Sequence, residues 1–188
     1  MTRIQPLDPP YDHETGENLT RMMPPGVDPI LFFRTVAKNL PMTAAMGTWA
    51  NYELSRDLSL AIRDREILID RTCARCGCEY EWGLHIAFFA ERARLAPEQI
   101  ASITHGGAHD PCWTDERDRL LIRTADALHD RAAIDTELDE RLRAEFADHQ
   151  LLDIYMLCGW YHAISFTANA AGVALEPGAT TFADYLPG

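Results

Sequence analysis

The segment CARCGCEYEWGLH, residues 73–85, gathers much of the chain's reactive chemistry: Cys73, Cys76 and Cys78 within six positions, then Tyr80, Glu81, Trp82 and His85. Three chemistries fit these residue types. The first is zinc, with Cys73, Cys76, Cys78 and His85 as four ligands of suitable softness. Structural zinc sites, however, usually hold their cysteines on a turn with a second ligand pair some distance away. Here the pattern is helical, and Cys76 and Cys78 would point about 200° apart. The second is a dithiol, because Cys73-Ala-Arg-Cys76 is a CxxC and Arg75 would favour a thiolate. A lone CxxC is a modest signal, since buried cysteines are common and mostly inert. The third comes from helical geometry. At about 100° per residue, Cys78, Glu81 and His85 fall within an arc of about 60°. The apolar IAFFA that follows turns this face into the protein, where each ionisable group must find a partner. A histidine tuned by a carboxylate is what a small acid–base pocket needs. A plainer reading stands beside it: His85 a satisfied core histidine, Glu81 paired with an arginine, Tyr80 and Trp82 core aromatics.

The elements that would hold these residues are helical throughout. Residues 1–26, rich in proline and polar side chains, read as an extended arm on the surface or on a neighbouring subunit, and 27–188 as one domain. Asp28 and Pro29 open a helix over ILFFRTVAKNL, Pro41 breaks it, and TAAMGTWANYELSRDLSLA continues as helix. Asp64 opens the long stretch that carries the motif, interrupted near Gly77. Pro97 starts a short helix, and THGGAHDPCW is loop. Thr114, Asp115 and Glu116 favour a helix N-terminus, with Leu121, Ala125 and Leu128 on one stripe. An amphipathic helix from Thr136 to His149 and a largely buried one over LLDIYMLCGWYHAISFTANAAGV follow, and the tail EPGATTFADYLPG is loop. No alternating strand pattern is present. The expected fold is all-α, with seven or eight helices.

Composition narrows the function. The 188 residues are 47% hydrophobic and 24% charged, with a formal net charge of −12, which repels a nucleic-acid backbone. No stretch approaches the roughly 20 apolar residues of a membrane span, and the N-terminal MTRIQPLDPPYDHETGENL lacks the apolar core of a secretory signal. Five cysteines, not spaced as a disulfide scaffold, suit a reducing cytoplasm. Among the other polar candidates, His105 and His109 read as solvated loop histidines. Cys112 and Cys158 read as structural, and His162 as a satisfied core histidine. Gly106-Gly107 lacks the flanking elements of a phosphate loop.

The motif residues resemble the carboxymuconolactone decarboxylase / alkylhydroperoxidase D-like (AhpD-like) family. Its peroxidase members carry a Glu, eleven residues, then CxxCxxxH, and its decarboxylase-like members a YEW…H signature. With Cys73 and Cys76 as the CxxC, the histidine position is Tyr80 and the glutamate position Ala61, so both supporting groups are missing. With Cys78 as the first cysteine, Glu66 is the glutamate, Glu81 stands at the second cysteine position and His85 is the histidine. This register also contains Tyr80-Glu81-Trp82 with His85, and it is the better match. Arg63-Asp64-Arg65-Glu66, LAPEQI and GWYHAISFTANAAGVALEP are similar to family segments on either side, so the likeness covers about residues 28–175.

The resemblance implies an AhpD-like helical domain and a pocket built on His85, Glu81, Glu66 and Cys78, with Tyr80 and Trp82 shaping it against a small-molecule substrate. In the peroxidase members a thiolate attacks, and a carboxylate cannot replace it. Glu81 at the attacking position therefore favours decarboxylase-type acid–base chemistry, with no metal and no cofactor. A thiol peroxidase using Cys78 with Cys73 or Cys76 would need the helix to break at Gly77. A non-enzymatic ligand-binding or redox-sensing oligomer is the remaining class, set apart by whether turnover depends on His85. The resemblance also implies a homo-oligomer, a dimer-based trimer or hexamer.

Overall fold

A computed structural model of the chain describes residues 1–186. Among them there are nine α-helices, one 3-10 turn and no strand. The helices are α1 His13–Arg21, α2 Leu31–Val36, α3 Leu40–Glu53, α4 Ile62–Arg75, α5 Glu79–Phe89, α6 Pro97–His105, α7 Glu116–Arg131, α8 Thr136–Glu145 and α9 Asp148–Ala171, and the 3-10 turn is Phe182–Tyr185. The chain forms two units, Met1–Leu58 with Thr167–Pro177, and Ser59–Phe166 with the tail from Gly178.

In the first unit, α1 and α2 pack on α3. Residues 1–26 are not extended throughout, as expected from their prolines. The Asp12 carboxylate accepts the Thr15 backbone N–H at 2.9 Å, a helix start that needs only a short side-chain acceptor, and Leu19 then anchors α1 in the unit's core. This helix takes the count above the expected seven or eight. α2 begins later than Asp28 and has no side-chain cap of its own at Ile30. Glu176 supplies the acceptor instead, taking the Leu31 N–H at 2.6 Å. Pro41 sits in the first turn of α3, where its missing N–H costs nothing, and Asn39 accepts the Met42 N–H at 3.2 Å.

The second unit is built around α4, against which α5, α6 and α7 pack. Every residue of α4 from Asp64 to Cys73 is buried, charged ones included. Buried charges require partners, and α7 provides those of Asp64 and Arg71. Arg117 reaches Asp64 at 2.8 Å, and Asp126 receives Arg71 at 2.7 Å. Arg63, half-exposed at the start of α4, is held by Asp118 of α7 at 2.7 Å. These pairs lock α7 along α4 in one register.

The long helical stretch expected around the motif is two helices. Gly77, at φ +61°, lies just past the end of α4. The Gly77 N–H reaches the Ala74 carbonyl and the Cys78 N–H the Cys73 carbonyl, each at 2.9 Å. This is the Schellman pattern, in which a glycine in the left-handed region closes a helix. Cys78 becomes the N-cap of α5. The tail, expected as loop, folds its 3-10 turn onto α5. The Phe182 N–H donates to Glu79 at 2.7 Å, and the Phe182 and Tyr185 rings meet Trp82 edge-on at 4.9 and 5.9 Å.

Gly83 permits this approach, because a Cβ there would stand 2.3 Å from the Thr180 carbonyl oxygen. The Thr180 oxygen belongs to backbone and cannot rotate aside, so the segment that carries it would have to shift. Gly83→Ala should therefore destabilise the protein by about 1–3 kcal/mol and shift the Trp82 emission as the tail lifts. Urea unfolding followed by tryptophan fluorescence checks this, and an unchanged midpoint and spectrum would show that the tail does not need the close contact.

Candidate functional site

The candidate site forms where α4, α5 and α9 meet within the second unit. Glu66, fully buried on α4, accepts from Arg65 at 2.6 Å through one oxygen and is bonded to His85 Nδ1 at 2.8 Å through the other. His85, on α5, meets the Tyr161 hydroxyl of α9 through Nε2 at 3.0 Å. Glu81, one turn before His85, lies 3.6 Å from the same Nε2. The ring is enclosed by Phe89 at 5.3 Å and, edge-on, by Tyr161 at 5.1 Å. A carboxylate can only accept, so Nδ1 carries a hydrogen and donates it to Glu66, while Nε2 faces Tyr161 and Glu81.

Electrostatics set the protonation state. Burial lowers the pKa of His85, but Glu66 and Glu81 outweigh it and raise it from 6.5 to about 10. The ring is therefore an imidazolium at neutral pH. Its Nε2–H then donates to the tyrosine oxygen, and the phenol keeps its own hydrogen to give. One turn along α4 from Glu66 is Asp70, fully buried, with no hydrogen-bond partner on either oxygen among the described residues. Burial, and then the Glu66 charge, push its pKa well above the usual carboxylate range. Both causes disfavour the charged form of Asp70 beside the Glu66–His85 pair.

The thiols respond to burial in the opposite sense. Cys78 is buried at the N-cap of α5, three residues before Glu81, and burial raises its thiol to about 11. Burial also raises Cys73 well above its usual value, and the Ser165 hydroxyl lies 3.8 Å from its sulfur. The four ligands considered for zinc, Cys73, Cys76, Cys78 and His85, are not gathered. Among the described residues the two possible metal-ligand groups are Glu66 with Asp70 and His85, and Cys76 with His129 and His162. In the first, both Glu66 oxygens are already taken by cations, Arg65 and His85.

Of the residues expected in the site, Glu66, Glu81 and His85 converge, and Cys78 lies at the head of the same helix. Trp82 is buried beneath the C-terminal turn, and Tyr80 is buried on α5. Tyr161, Asp70 and Arg65 were not anticipated. Asp70 carried a signal in its i, i+4 spacing from Glu66 on a helix. Tyr161 lies 76 residues from His85, with nothing local to mark it. His162, expected as a core histidine, is half-exposed.

No family model and no curated protein matches the chain. Solved structures do. A peroxidase-related protein from Silicibacter sp. TM1040 superposes with a TM-score of 0.76 at 19% identity, over 97% of this chain and 94% of that one. The debrominase Bmp8 superposes with a TM-score of 0.68 at 15% identity, over 94% of this chain and 93% of that one. The chain has the AhpD-like fold. At such identities the likeness speaks for the fold alone, and the resemblance first drawn from the motif holds for the architecture of nearly the whole chain.

The Glu66–His85 pair makes stability depend on pH. Because the folded pKa of His85 is raised from 6.5 to about 10, the pair's stabilisation is complete below about pH 6.5 and is lost as pH rises through about 10. Thermal melts of wild type and His85→Gln across this range should differ most at the acid end and converge at the alkaline end. A pH-independent difference would show that the ring is neutral in the folded state.

Proposed function

We propose that the chain is an enzyme of the carboxymuconolactone decarboxylase / AhpD-like family that performs acid–base chemistry on a small carboxylate or lactone, without a cofactor. The observation that carries this reading is the buried His85 ring, held by Glu66 on one nitrogen and by Tyr161 and Glu81 on the other. In a substrate with a carboxylate beside an unsaturated lactone, the carbon–carboxylate bond breaks and carbon dioxide leaves. The electron pair passes into the lactone carbonyl as a dienolate. The Tyr161 phenol, hydrogen-bonded to His85, delivers a proton to the carbon, and the imidazolium replenishes it. Glu66 orients the ring throughout, and water restores the proton lost from His85. The names of the structural neighbours, peroxidase-related and debrominase, support catalysis on this fold and leave the reaction open.

A thiol peroxidase using Cys78 with Cys73 or Cys76 is the second reading. The break at Gly77 favours it, since the turn brings the Cys78 N–H onto the Cys73 carbonyl. Burial weighs against it, because Cys73 and Cys78 are both raised away from the thiolate form that attacks a peroxide. One experiment separates the two. Thiols counted before and after one equivalent of an organic hydroperoxide should survive in wild type, and His85→Gln should lower turnover of a lactone acid by about 10²–10⁴-fold. Rapid loss of two thiols that is abolished by Cys78→Ser would establish the peroxidase instead.

Self-association belongs to the same proposal. Leu152, Met156 and Phe166 of α9 are exposed and, at about 100° per residue, share one face of the helix. Large apolar side chains on one face suit an interface between copies of the chain. Met156→Glu should shift the protein towards monomer in sedimentation or size-exclusion measurements with light scattering. A monomeric wild type would remove the proposal.

A further inference from the structure

Away from the Glu66–His85 group, three potential ligands from three helices converge within the second unit. Cys76 is the C-cap of α4, His129 lies in the last turn of α7, and His162 is on α9. The Cys76 sulfur is 3.8 Å from His129 Nδ1, and that nitrogen is 3.1 Å from His162 Nε2. All three ligand atoms lie within 4.8 Å of one another. An ion with ordinary zinc bond lengths and tetrahedral angles sets sulfur–nitrogen and nitrogen–nitrogen separations of about 3.6 and 3.3 Å. The two measured separations bracket those values, so small side-chain adjustments would seat an ion.

The hydrogen bonding around the cluster points the same way. His162 Nδ1 is 2.8 Å from the Cys158 carbonyl oxygen. A carbonyl can only accept, so Nδ1 carries the hydrogen and Nε2 presents its lone pair towards His129. A metal-binding histidine usually fixes its tautomer in this way, through a hydrogen bond from its other nitrogen. Arg75, next to Cys76, disfavours positive charge at His129, but Asp126 and Asp130 hold its guanidinium at 2.9 and 2.5 Å and offset part of that repulsion. Cys76, His129 and His162 are all half-exposed, so an ion could enter and keep a water as fourth ligand.

We propose that Cys76, His129 and His162 form a three-ligand site for a borderline-soft divalent transition metal, with Zn²⁺ as the type and solvent in the fourth position. One thiolate and two imidazoles exclude the hard ions Mg²⁺ and Ca²⁺, which take oxygen ligands. Binding converts the Cys76 thiol to thiolate and releases one proton. The hydrogen on His129 moves from Nδ1 to Nε2, which frees the Nδ1 lone pair without further release. The bound ion would withdraw Cys76 from thiol chemistry and tie α4, α7 and α9 together beside the Gly77 break. The site does not depend on the reaction proposed for His85.

The test is a titration of the full-length, chelator-stripped and reduced protein with Co²⁺. Wild type should bind one equivalent and develop a thiolate-to-cobalt charge-transfer band in the near ultraviolet, with ligand-field bands in the visible that added Zn²⁺ abolishes. Cys76→Ser should lose the charge-transfer band, and His162→Gln should weaken binding by at least about 10²-fold. Cys78→Ser should titrate like wild type. Failure of wild type to give the band overturns the site, whatever the variants do. A band that survives in Cys76→Ser, or disappears in Cys78→Ser, also overturns it by assigning the metal to other cysteines. Circular dichroism of each variant separates loss of ligand from loss of helix.

Discussion

The structure depends on neutralising the charges that α4 carries into the interior. An isolated buried ion costs several kcal/mol after relaxation, and this helix is enclosed on all sides from Asp64 to Cys73. Arg117 answers Asp64 and Asp126 answers Arg71, both from α7. Glu66 is answered twice, by Arg65 beside it and by His85 from α5. Asp70 has no such partner, and burial raises its pKa, which disfavours its charged form. Helix positions are thus tied to charge pairing as much as to apolar packing. The same requirement that positions α5 also charges His85, so folding and the chemistry of the site share one interaction.

Gly77 divides the motif into two environments. On its N-terminal side α4 ends at Cys76, whose half-exposed sulfur faces His129. On its C-terminal side Cys78 starts α5 and leads to Glu81 and His85. Three cysteines within six residues therefore do not act as one cluster. Burial raises the thiol pKa of Cys73 and Cys78, whereas the Cys76 sulfur lies beside the His129 ring. A backbone device of a single residue, a glycine closing a helix, separates Glu81 and His85 from Cys76 and its histidine neighbours.

The AhpD-like fold is compatible with more than one reaction, as its neighbours' names indicate. What distinguishes this chain is local. A carboxylate stands at Glu81, where the peroxidase pattern has a cysteine. The imidazole is raised towards its charged form and the nearby thiols are raised away from theirs. Burial acts on all of them in the same direction, against charge. Only His85 has carboxylates close enough to reverse the outcome.

The sequence by itself determined what is local. Helical periodicity, the acidic cap at Asp115, the break at Pro41 and the proline-led start at Pro97 outline most of the helices. Glu81 and His85 meet because they are four residues apart on one of them. Glu66 was legible through its spacing in the motif, and the break near Gly77 through the glycine itself. Tertiary structure decided the remainder. Tyr161 reaches His85 across 76 residues, and His129 meets His162 across 33, separations at which no helical period carries information. Trp82 faces the C-terminal turn because Gly83 lets the Thr180 backbone approach, which depends on where the chain returns in space. The pKa shifts of His85, Asp70 and Cys78 follow from burial and from nearby carboxylates, and the burial exists only once the chain is folded.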